Sequence, residues 1–200
     1  MKIPEFKIRT DLALEEREGL KEAAEEVSGV SFKKWEGKRS AAQITEVKVL
    51  NEHGAKALGK PMGSYLTLEA DKLLMPDEDF HSEVSDELAL LLKGLLKQKT
   101  GKNILVAGLG NQSVTPDSLG PRTVSNLCVS AEGLKAIAPG VMAQTGMETA
   151  RILLGIIKEV QPDLVIAIDA LAARSIRRLG TTIQLTDTGI HPGSGVGNHR

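Results

Sequence analysis

Three acidic residues, Asp117, Asp169 and Asp187, lie in the polar loops that follow predicted strands. Asp169 follows an apolar run directly, and Asp187 opens a Gly- and Pro-rich stretch that also contains His191. In open α/β sheets, ligands bind outside the carboxyl ends of the strands. Carboxylates and imidazoles at such an edge can act as general acids and bases or bind a metal ion. The three loops therefore predict a chemically active site at one edge of a sheet.

Each of these residues also has a structural interpretation. A carboxylate at a buried strand end is costly unless it is paired, and Asp169 can instead cap the turn that follows it. Asp117, in Thr-Pro-Asp-Ser, is well placed as a helix N-cap, and His191 beside a proline suits a turn. Arg174, Arg177 and Arg178 are expected on a solvated helix face, with Arg174 close enough to Asp169 to form an ion pair.

Other motifs in these loops are incomplete. Gly108-x-Gly110 hints at dinucleotide binding, but Ser113 stands where the third glycine of that fingerprint belongs. Residues 193–197 spell Gly-x-Gly-x-Gly without the Lys-Ser/Thr pair of a phosphate loop. Residues 187–189 spell the Asp-Thr-Gly of pepsin-like proteases, whose all-β chains do not match the pattern of this one.

The elements that must position these loops alternate between strand and helix patterns, above all after residue 100, where Gly, Ala, Ile and Val replace charged residues. Alternating or fully apolar runs predict strands, and apolar residues at three- and four-residue steps predict helices. Strands are predicted at residues 43–50, 64–69, 104–107, 164–168 and 181–185, and helices at residues 14–27, 51–57, 76–100, 118–127 and 147–160. Asn51 is the predicted cap of the second helix, and Gly59 is its predicted end. Strand, crossover helix, strand is the order of an α/β fold. We therefore predict a mixed, mostly parallel sheet flanked by helices.

The composition is that of a soluble globular chain, with 41% hydrophobic and 26% charged residues. A net charge of -1 over 200 residues argues against a direct nucleic-acid partner. No apolar run approaches the roughly 18 residues that span a bilayer, and the N-terminus lacks the apolar core of a signal peptide, so we expect an intracellular protein without a membrane partner. The single cysteine, Cys128, cannot form an internal disulfide, and its apolar neighbours predict a core position.

Four longer stretches resemble the germination proteases of endospore-forming bacteria, peptidases that degrade small acid-soluble spore proteins. The stretches are residues 8–15 (Ile-Arg-Thr-Asp-Leu-Ala-Leu-Glu), 106–121 with Gly-Leu-Gly-Asn and Val-Thr-Pro-Asp-Ser-Leu-Gly-Pro, 138–149 with Ala-Pro-Gly-Val-Met, and 162–198 with Ile-Asp-Ala-Leu-Ala-Ala-Arg-Ser and Gly-Ile-His-Pro-Gly-Ser-Gly-Val-Gly-Asn. Together they cover most of the chain.

The resemblance implies a fold similar to hydrogenase maturation peptidases and an atypical aspartic peptidase that needs no cofactor. The two aspartates proposed as catalytic in the family correspond to Asp117 and Asp169. The further candidates to line the site are Asn111, Arg174, Asp187 and His191.

The resemblance also implies a zymogen that trims its own N-terminus between Asp11 and Leu12. Residues 1–11 are then a pro-segment, and residues 12–200 are the N-terminal part of the peptidase domain. The implied substrates are small acid-soluble spore proteins, cut at a short acidic-and-apolar sequence that the processing site resembles. Members of the family form homotetramers and act in the cytoplasm of the forespore, the later spore core.

Two neighbouring carboxylates cannot both ionise cheaply, so such a pair holds one proton. The ionised partner can activate a water while the protonated one polarises the scissile carbonyl, and which of Asp117 and Asp169 plays each role stays open. Two alternatives remain. One is a metal-dependent maturation-type peptidase, with both aspartates and His191 around a metal ion. The other is an inactive fragment, because the chain stops at residue 200 where the family continues.

Overall fold

The structure, a computed structural model, describes residues 10–21, 27–96, 103–129 and 133–190. The chain divides into two compact units, the first comprising Met1–Lys97 and Leu171–Thr188 and the second comprising Gln98–Ala170 and Gly189–Arg200. The division after residue 97 coincides with the change in composition near residue 100. Asp117 and Asp169 both belong to the second unit, whereas Asp11 and Leu12 belong to the first.

The helices and strands alternate irregularly along the chain. In chain order they are α1 (Ala13–Lys21), β1 (Val30–Glu36), β2 (Gln43–Val49), α2 (Glu52–Leu58), β3 (Gly63–Glu69), α3 (Glu78–Leu96), β4 (Ile104–Gly108), α4 (Leu119–Ser125), β5 (Leu134–Ile137), α5 (Met142–Thr145), α6 (Thr149–Val160), β6 (Leu164–Ile168) and β7 (Thr182–Thr186). Short 3₁₀ helices occupy Asp71–Leu74, Thr115–Asp117 and Ile176–Arg178.

The first unit contains an antiparallel sheet of four strands in the order β1-β2-β3-β7. Its two central strands are covered on both faces because successive side chains of a strand point to opposite sides. The first cluster, beneath α3, contains Ala42, Ile44, Leu68, Ala70, Phe80 and Val84. The second cluster, beneath α1 and α2, contains Ala13, Val47, Val49, Leu58 and Tyr65.

Helix α2 illustrates how local sequence sets an element's ends. The Asn51 side chain accepts a hydrogen bond from the Gly54 N–H at 2.9 Å, which caps the N-terminus. Gly59 adopts a left-handed conformation with φ 64° and ends the helix. Both ends agree with the prediction.

The second unit contains a parallel sheet of three strands in the order β5-β4-β6. In register, Ala107 of β4 pairs with Ile137 of β5, and Gly108 pairs with Ile168 of β6. β4 is the central strand and is buried, as its continuous apolar run predicts. Helix α4 packs against both β4 and β6.

The predicted α/β class is confirmed, with the parallel strands confined to the second unit. The strand predicted at residues 181–185 exists as β7, but it pairs antiparallel with β3, Leu66 opposite Leu185. The loop after β7 therefore does not leave the parallel sheet, and the expectation of three loops at one edge of one sheet is wrong. Of the predicted helices, the parts at residues 22–26 and 97–100 lie outside the described residues.

Within the described ranges, no helix combines the length and hydropathy that crossing a bilayer requires.

Candidate active site

The parallel pairing of β4 and β6 continues one residue beyond the strands. The Leu109 N–H donates to the carbonyl oxygen of Ile168 at 2.8 Å. Asp169 follows Ile168 in the chain, so it lies at the carboxyl edge of the sheet, beside the first residue of the loop after β4. This is the edge where open α/β sheets bind their ligands.

Asp117 is folded back onto the same edge by the loop between β4 and α4. The Asn111 N–H donates both to the Asp117 carbonyl oxygen at 3.0 Å and to its carboxylate Oδ2 at 2.8 Å. The Asp117 N–H in turn donates to the Val114 carbonyl at 2.8 Å, which closes a turn within the loop. The carboxylate is therefore bound to Asn111, which follows Leu109 by two residues. Leu109 is the residue whose N–H binds the last residue of β6.

Close backbone approach requires glycine at three positions of this edge. Gly110 has φ 110°, and a Cβ there would collide with the Asp117 carbonyl. A Cβ at Gly108 would collide with the Gly120 carbonyl, and one at Gly120 would collide with the backbone of Leu109 and with the Ile168 carbonyl. Packing of α4 onto the strand end thus accounts for Gly108, and the close approach of Asp117 accounts for Gly110. These are the two glycines that in sequence suggested nucleotide binding.

Asp169 is half-buried, and its Oδ1 accepts the N–H of Ala170 at 2.8 Å. This contact is the turn-capping interaction that the structural interpretation predicts. A contact with its own neighbouring N–H is compatible with a structural role for Asp169 and with a role in acid–base chemistry.

Asn111 connects the Asp117 loop to α5. Its side-chain Oδ1 accepts the Ser113 N–H at 3.0 Å and the Gln144 Nε2 at 2.8 Å. Asn111 therefore lies at the same sheet edge as Asp117, and its role in lining a site stays a prediction. Gln144 was missed, although it lies within the stretch 138–149 that carries the family resemblance.

The remaining candidates to line the site are not part of the parallel-sheet unit as the structure describes it. Asp187 and Arg174 belong to the first unit. The Asp187 Oδ1 accepts the Ser64 N–H at 2.8 Å, and the Arg174 side chain pairs with Glu16 at 3.1 Å. His191 lies outside the described residues.

Three expectations about individual side chains are corrected. Ser118, not Asp117, is the N-cap residue of α4, because the Asp117 carboxylate turns back to Asn111. Cys128 is exposed rather than a core residue. Arg178 is not on a solvated face, because its side chain is 15% exposed and its guanidinium binds three glutamates.

The predicted processing segment is held tightly in the first unit. Asp11 and Ala172 exchange two hydrogen bonds, from the Asp11 N–H to the Ala172 carbonyl at 2.8 Å and from the Ala172 N–H to the Asp11 Oδ2 at 2.8 Å. The Leu12 N–H donates to Thr10 Oγ1 at 3.0 Å, and the Leu12 side chain is 0% exposed. The bond between Asp11 and Leu12 is thus fixed on both sides.

The carbonyl oxygen of Asp11 has two side-chain donors. Lys60 Nζ lies 2.9 Å from it, and Gln184 Nε2 lies 3.2 Å from it. The Oε1 of Gln184 accepts the Ala13 N–H at 3.0 Å, and Lys60 also reaches the Thr10 carbonyl at 3.4 Å. Neither Lys60 nor Gln184 was predicted, since only the tertiary structure brings them to residues 10–13.

Helix α1 is anchored through Glu15, which is 3% exposed. Its carboxylate accepts the backbone N–H groups of Arg174 at 2.6 Å and Ser175 at 2.9 Å and pairs with Arg178 at 3.2 Å. Burial raises the pKa of Glu15, but hydrogen bonds from Thr10 and from these partners outweigh it, so the pKa lies below its ordinary value of 4.5. Glu15 is therefore held in its ionised form.

A cleft of about 540 Å³ lies along α4 and the turn that precedes it. Its lining residues are Thr115, Ser118, Leu119, Arg122, Thr123, Asn126 and Leu127. Among the residues that the structure describes, no group of three or more His, Cys, Asp or Glu side chains is arranged to hold a metal ion.

Comparison with known proteins relates this chain to one family. The profile of the family described as germination protease matches residues 8–200. Curated relatives of the same name include one from Caldanaerobacter subterraneus subsp. tengcongensis, 50% identical over 207 residues, 96% of this chain and 63% of the relative. Another, from Clostridium perfringens, is 41% identical over 210 residues, 98% of this chain and 64% of the relative. A third, from Oceanobacillus iheyensis, is 44% identical over 219 residues, which is 98% of this chain and 59% of the relative. The chain thus spans a little less than two thirds of the length of these relatives.

Proposed function

The chain belongs to the germination protease family, and on that premise we propose that it is an endopeptidase that degrades small acid-soluble spore proteins during spore germination. The observation that carries this proposal beyond family membership is the edge of the parallel sheet. Asp117 and Asp169 both lie there, connected through the hydrogen bond from Leu109 to Ile168 and the one from Asn111 to Asp117.

The two aspartates form the catalytic pair in this proposal. One carboxylate, ionised, removes a proton from the attacking water, while the other, protonated, donates a hydrogen bond to the scissile carbonyl. The water oxygen adds to the carbonyl carbon, the peptide bond breaks, and the leaving nitrogen takes up a proton from the pair. Asn111 positions Asp117 through its backbone N–H.

The cleft along α4 suits an extended peptide substrate. It begins at Thr115 and Ser118, on either side of Asp117 in sequence. Leu119 and Leu127 offer apolar surface and Arg122 offers a positive charge, which fits an acidic-and-apolar recognition sequence. In the cell, the substrates are the small acid-soluble spore proteins of the spore core, and the active assembly is a homotetramer without metal, cofactor, nucleic-acid or membrane partner.

The chain is made as a zymogen in this proposal and cuts itself between Asp11 and Leu12. Removal of residues 1–11 leaves α1 in place, because Glu15 remains bound to Arg174, Ser175 and Arg178. Residues 12–200 are then the N-terminal part of the mature peptidase domain.

Incubating the purified protein with a small acid-soluble spore protein tests the function. Mass spectrometry should show internal cleavage of the substrate and a new N-terminus of the chain at Leu12. Asp117→Asn and Asp169→Asn should each abolish both reactions. An intact substrate after incubation with folded wild-type protein would contradict the proposed activity of this chain.

A further inference from the structure

We propose that Lys60 and Gln184 form a latch that keeps the Asp11–Leu12 bond uncleaved until the latch opens. The latch is defined as the contacts of these two side chains with residues 10–13. The inference rests on the proposed function for the significance of that bond, but its physical content, protection of one peptide bond, is independent of whether the chain is a protease.

The polar groups of the Asp11–Leu12 bond already have hydrogen-bond partners. The Asp11 carbonyl oxygen accepts hydrogen bonds from Lys60 and Gln184, and the Leu12 N–H donates to Thr10 Oγ1. Hydrolysis requires a peptidase to bind this carbonyl with its own donors while a water attacks the carbon. The existing donors of the first unit therefore have to leave before a peptidase can take their place.

Side chains on both sides of the bond are also buried. Leu12 and Ala13 are both 0% exposed, and Thr10 is 3% exposed. A peptidase binds several substrate residues on either side of the scissile bond in extended form, and fully buried side chains cannot enter its cleft. Cleavage is thus limited to molecules in which residues 10–13 have detached locally, and its rate follows the population of that open state.

Lys60 and Gln184 set the fraction of molecules in which residues 10–13 are detached. Lys60 follows α2 and Gln184 lies on β7, so both donors sit on the body of the first unit and outside the pro-segment. Lys60 contributes a charge-assisted hydrogen bond, which is stronger than a neutral one. Gln184 binds on both sides of the bond, to the Asp11 carbonyl and to the Ala13 N–H. Neither side chain belongs to either hydrophobic cluster, so their removal should favour the open state without deleting a residue of the core.

The test measures access to the bond with an external peptidase, in the Asp169→Asn background so that self-cleavage does not contribute. The probe is a glutamyl endopeptidase that also cuts after Asp, and the readout is the rate at which a fragment beginning at Leu12 forms. Lys60→Met and Gln184→Leu should each raise this rate about tenfold, the order of a lost hydrogen bond to a charged or buried group. Amide exchange at Leu12 should accelerate in parallel.

Two controls make the result specific. Lys56→Met is the same substitution at an exposed position of α2, and its rate should match the background protein. The bond after Glu46, in the centre of β2, reports global unfolding because Val47 is 0% exposed. Faster cleavage at Leu12 with unchanged cleavage at Val47 supports the latch.

Other outcomes overturn it. Rates for Lys60→Met and Gln184→Leu equal to that of Lys56→Met would show that these contacts do not protect the bond. Faster cleavage at both bonds would show that the variants only destabilise the unit. If Lys60→Met and Gln184→Leu slow self-processing in the protein that keeps Asp169, the two donors assist cleavage and the latch is wrong. A protected bond in a chain that never processes itself would instead contradict the proposed zymogen and leave the latch standing.

Discussion

The backbone N–H of Asn111 donates a forked hydrogen bond to Asp117, 3.0 Å to its carbonyl oxygen and 2.8 Å to its carboxylate Oδ2. The loop thereby turns the side chain back toward the strand that precedes it. Leu109 of the same loop donates to Ile168, the residue before Asp169. The backbone of residues 109–111 therefore contacts Asp117 at one end and the residue next to Asp169 at the other. The predictions below concern this edge and the anchoring of α1.

The close approach of α4 to the strand ends makes Gly120 irreplaceable. An alanine Cβ there would collide with Leu109 and with the Ile168 carbonyl, the two partners that join β4 and β6. We expect Gly120→Ala to lower the free energy of unfolding by about 1–3 kcal/mol, the usual cost of overpacking, and to impair cleavage. Urea denaturation measures the first effect and the substrate assay the second.

Gly155→Ala is the matched control, since nothing lies within 4 Å of a Cβ at that position of α6. Alanine is a better helix residue than glycine by about 0.5–1 kcal/mol, so this variant should be at least as stable as the wild type. Equal stability of the two variants would refute the steric account of Gly120.

Protonation of Glu15 should weaken the first unit. The pKa of Glu15 is lowered in the folded protein. Its contribution to the free energy of unfolding is therefore fully present above the unfolded-state pKa and is lost as the pH falls through the folded-state pKa. The wild type should therefore lose stability below about pH 5. Glu15→Gln should cost about 1–3 kcal/mol near neutral pH, because Arg178 and two backbone N–H groups lose a charged acceptor.

The stability of Glu15→Gln should also fall less steeply on acidification, as measured by denaturation at a series of pH values. Glu148→Gln is the control, because Glu148 and Arg151 form an exposed pair, with side chains 52% and 83% accessible, whose loss should change stability by less than about 1 kcal/mol. A pH profile of Glu15→Gln that parallels the wild type would show that Glu15 is not the titrating group.

Metal removal separates the aspartate pair from the metal-dependent alternative. If the two carboxylates activate water unaided, dialysis against a chelator leaves the cleavage rate unchanged, and elemental analysis finds no stoichiometric divalent metal. Loss of activity in the chelator that a divalent metal restores would favour the metal-dependent alternative, provided that the metal does not restore activity to Asp117→Asn.

Local sequence predicted much of the fold. The α2 caps, the apolar runs of β4 and β6 and the periodicity of α3 were all readable because neighbouring residues determine them. β1 was missed because Ser31, Lys33 and Lys34 made it look like part of a polar segment, and β5 because it has only four residues. The partner of β7 could not be predicted, since its pairing with β3 joins residues more than 100 positions apart.

The candidate site divides in the same way. The positions of Asp117, Asp169 and Asn111 at a strand-end edge follow from the order of strands and loops, which the sequence carries. The partners of Arg178 and the donors to the Asp11 carbonyl follow from contacts between distant segments. For that reason a solvated face was predicted for Arg178, and Lys60 and Gln184 were not considered.

The joint action of Asp117 and Asp169 is tested most directly by single-turnover cleavage of a small acid-soluble spore protein by four proteins: wild type, Asp117→Asn, Asp169→Asn and the double variant. Groups that act as a unit do not add, so each single variant should lose as much rate as the double variant, at least about a hundredfold. Circular dichroism and urea denaturation should show that all four remain folded. If either folded single variant retains near wild-type cleavage, or if the two losses multiply in the double variant, the aspartates do not form the catalytic pair.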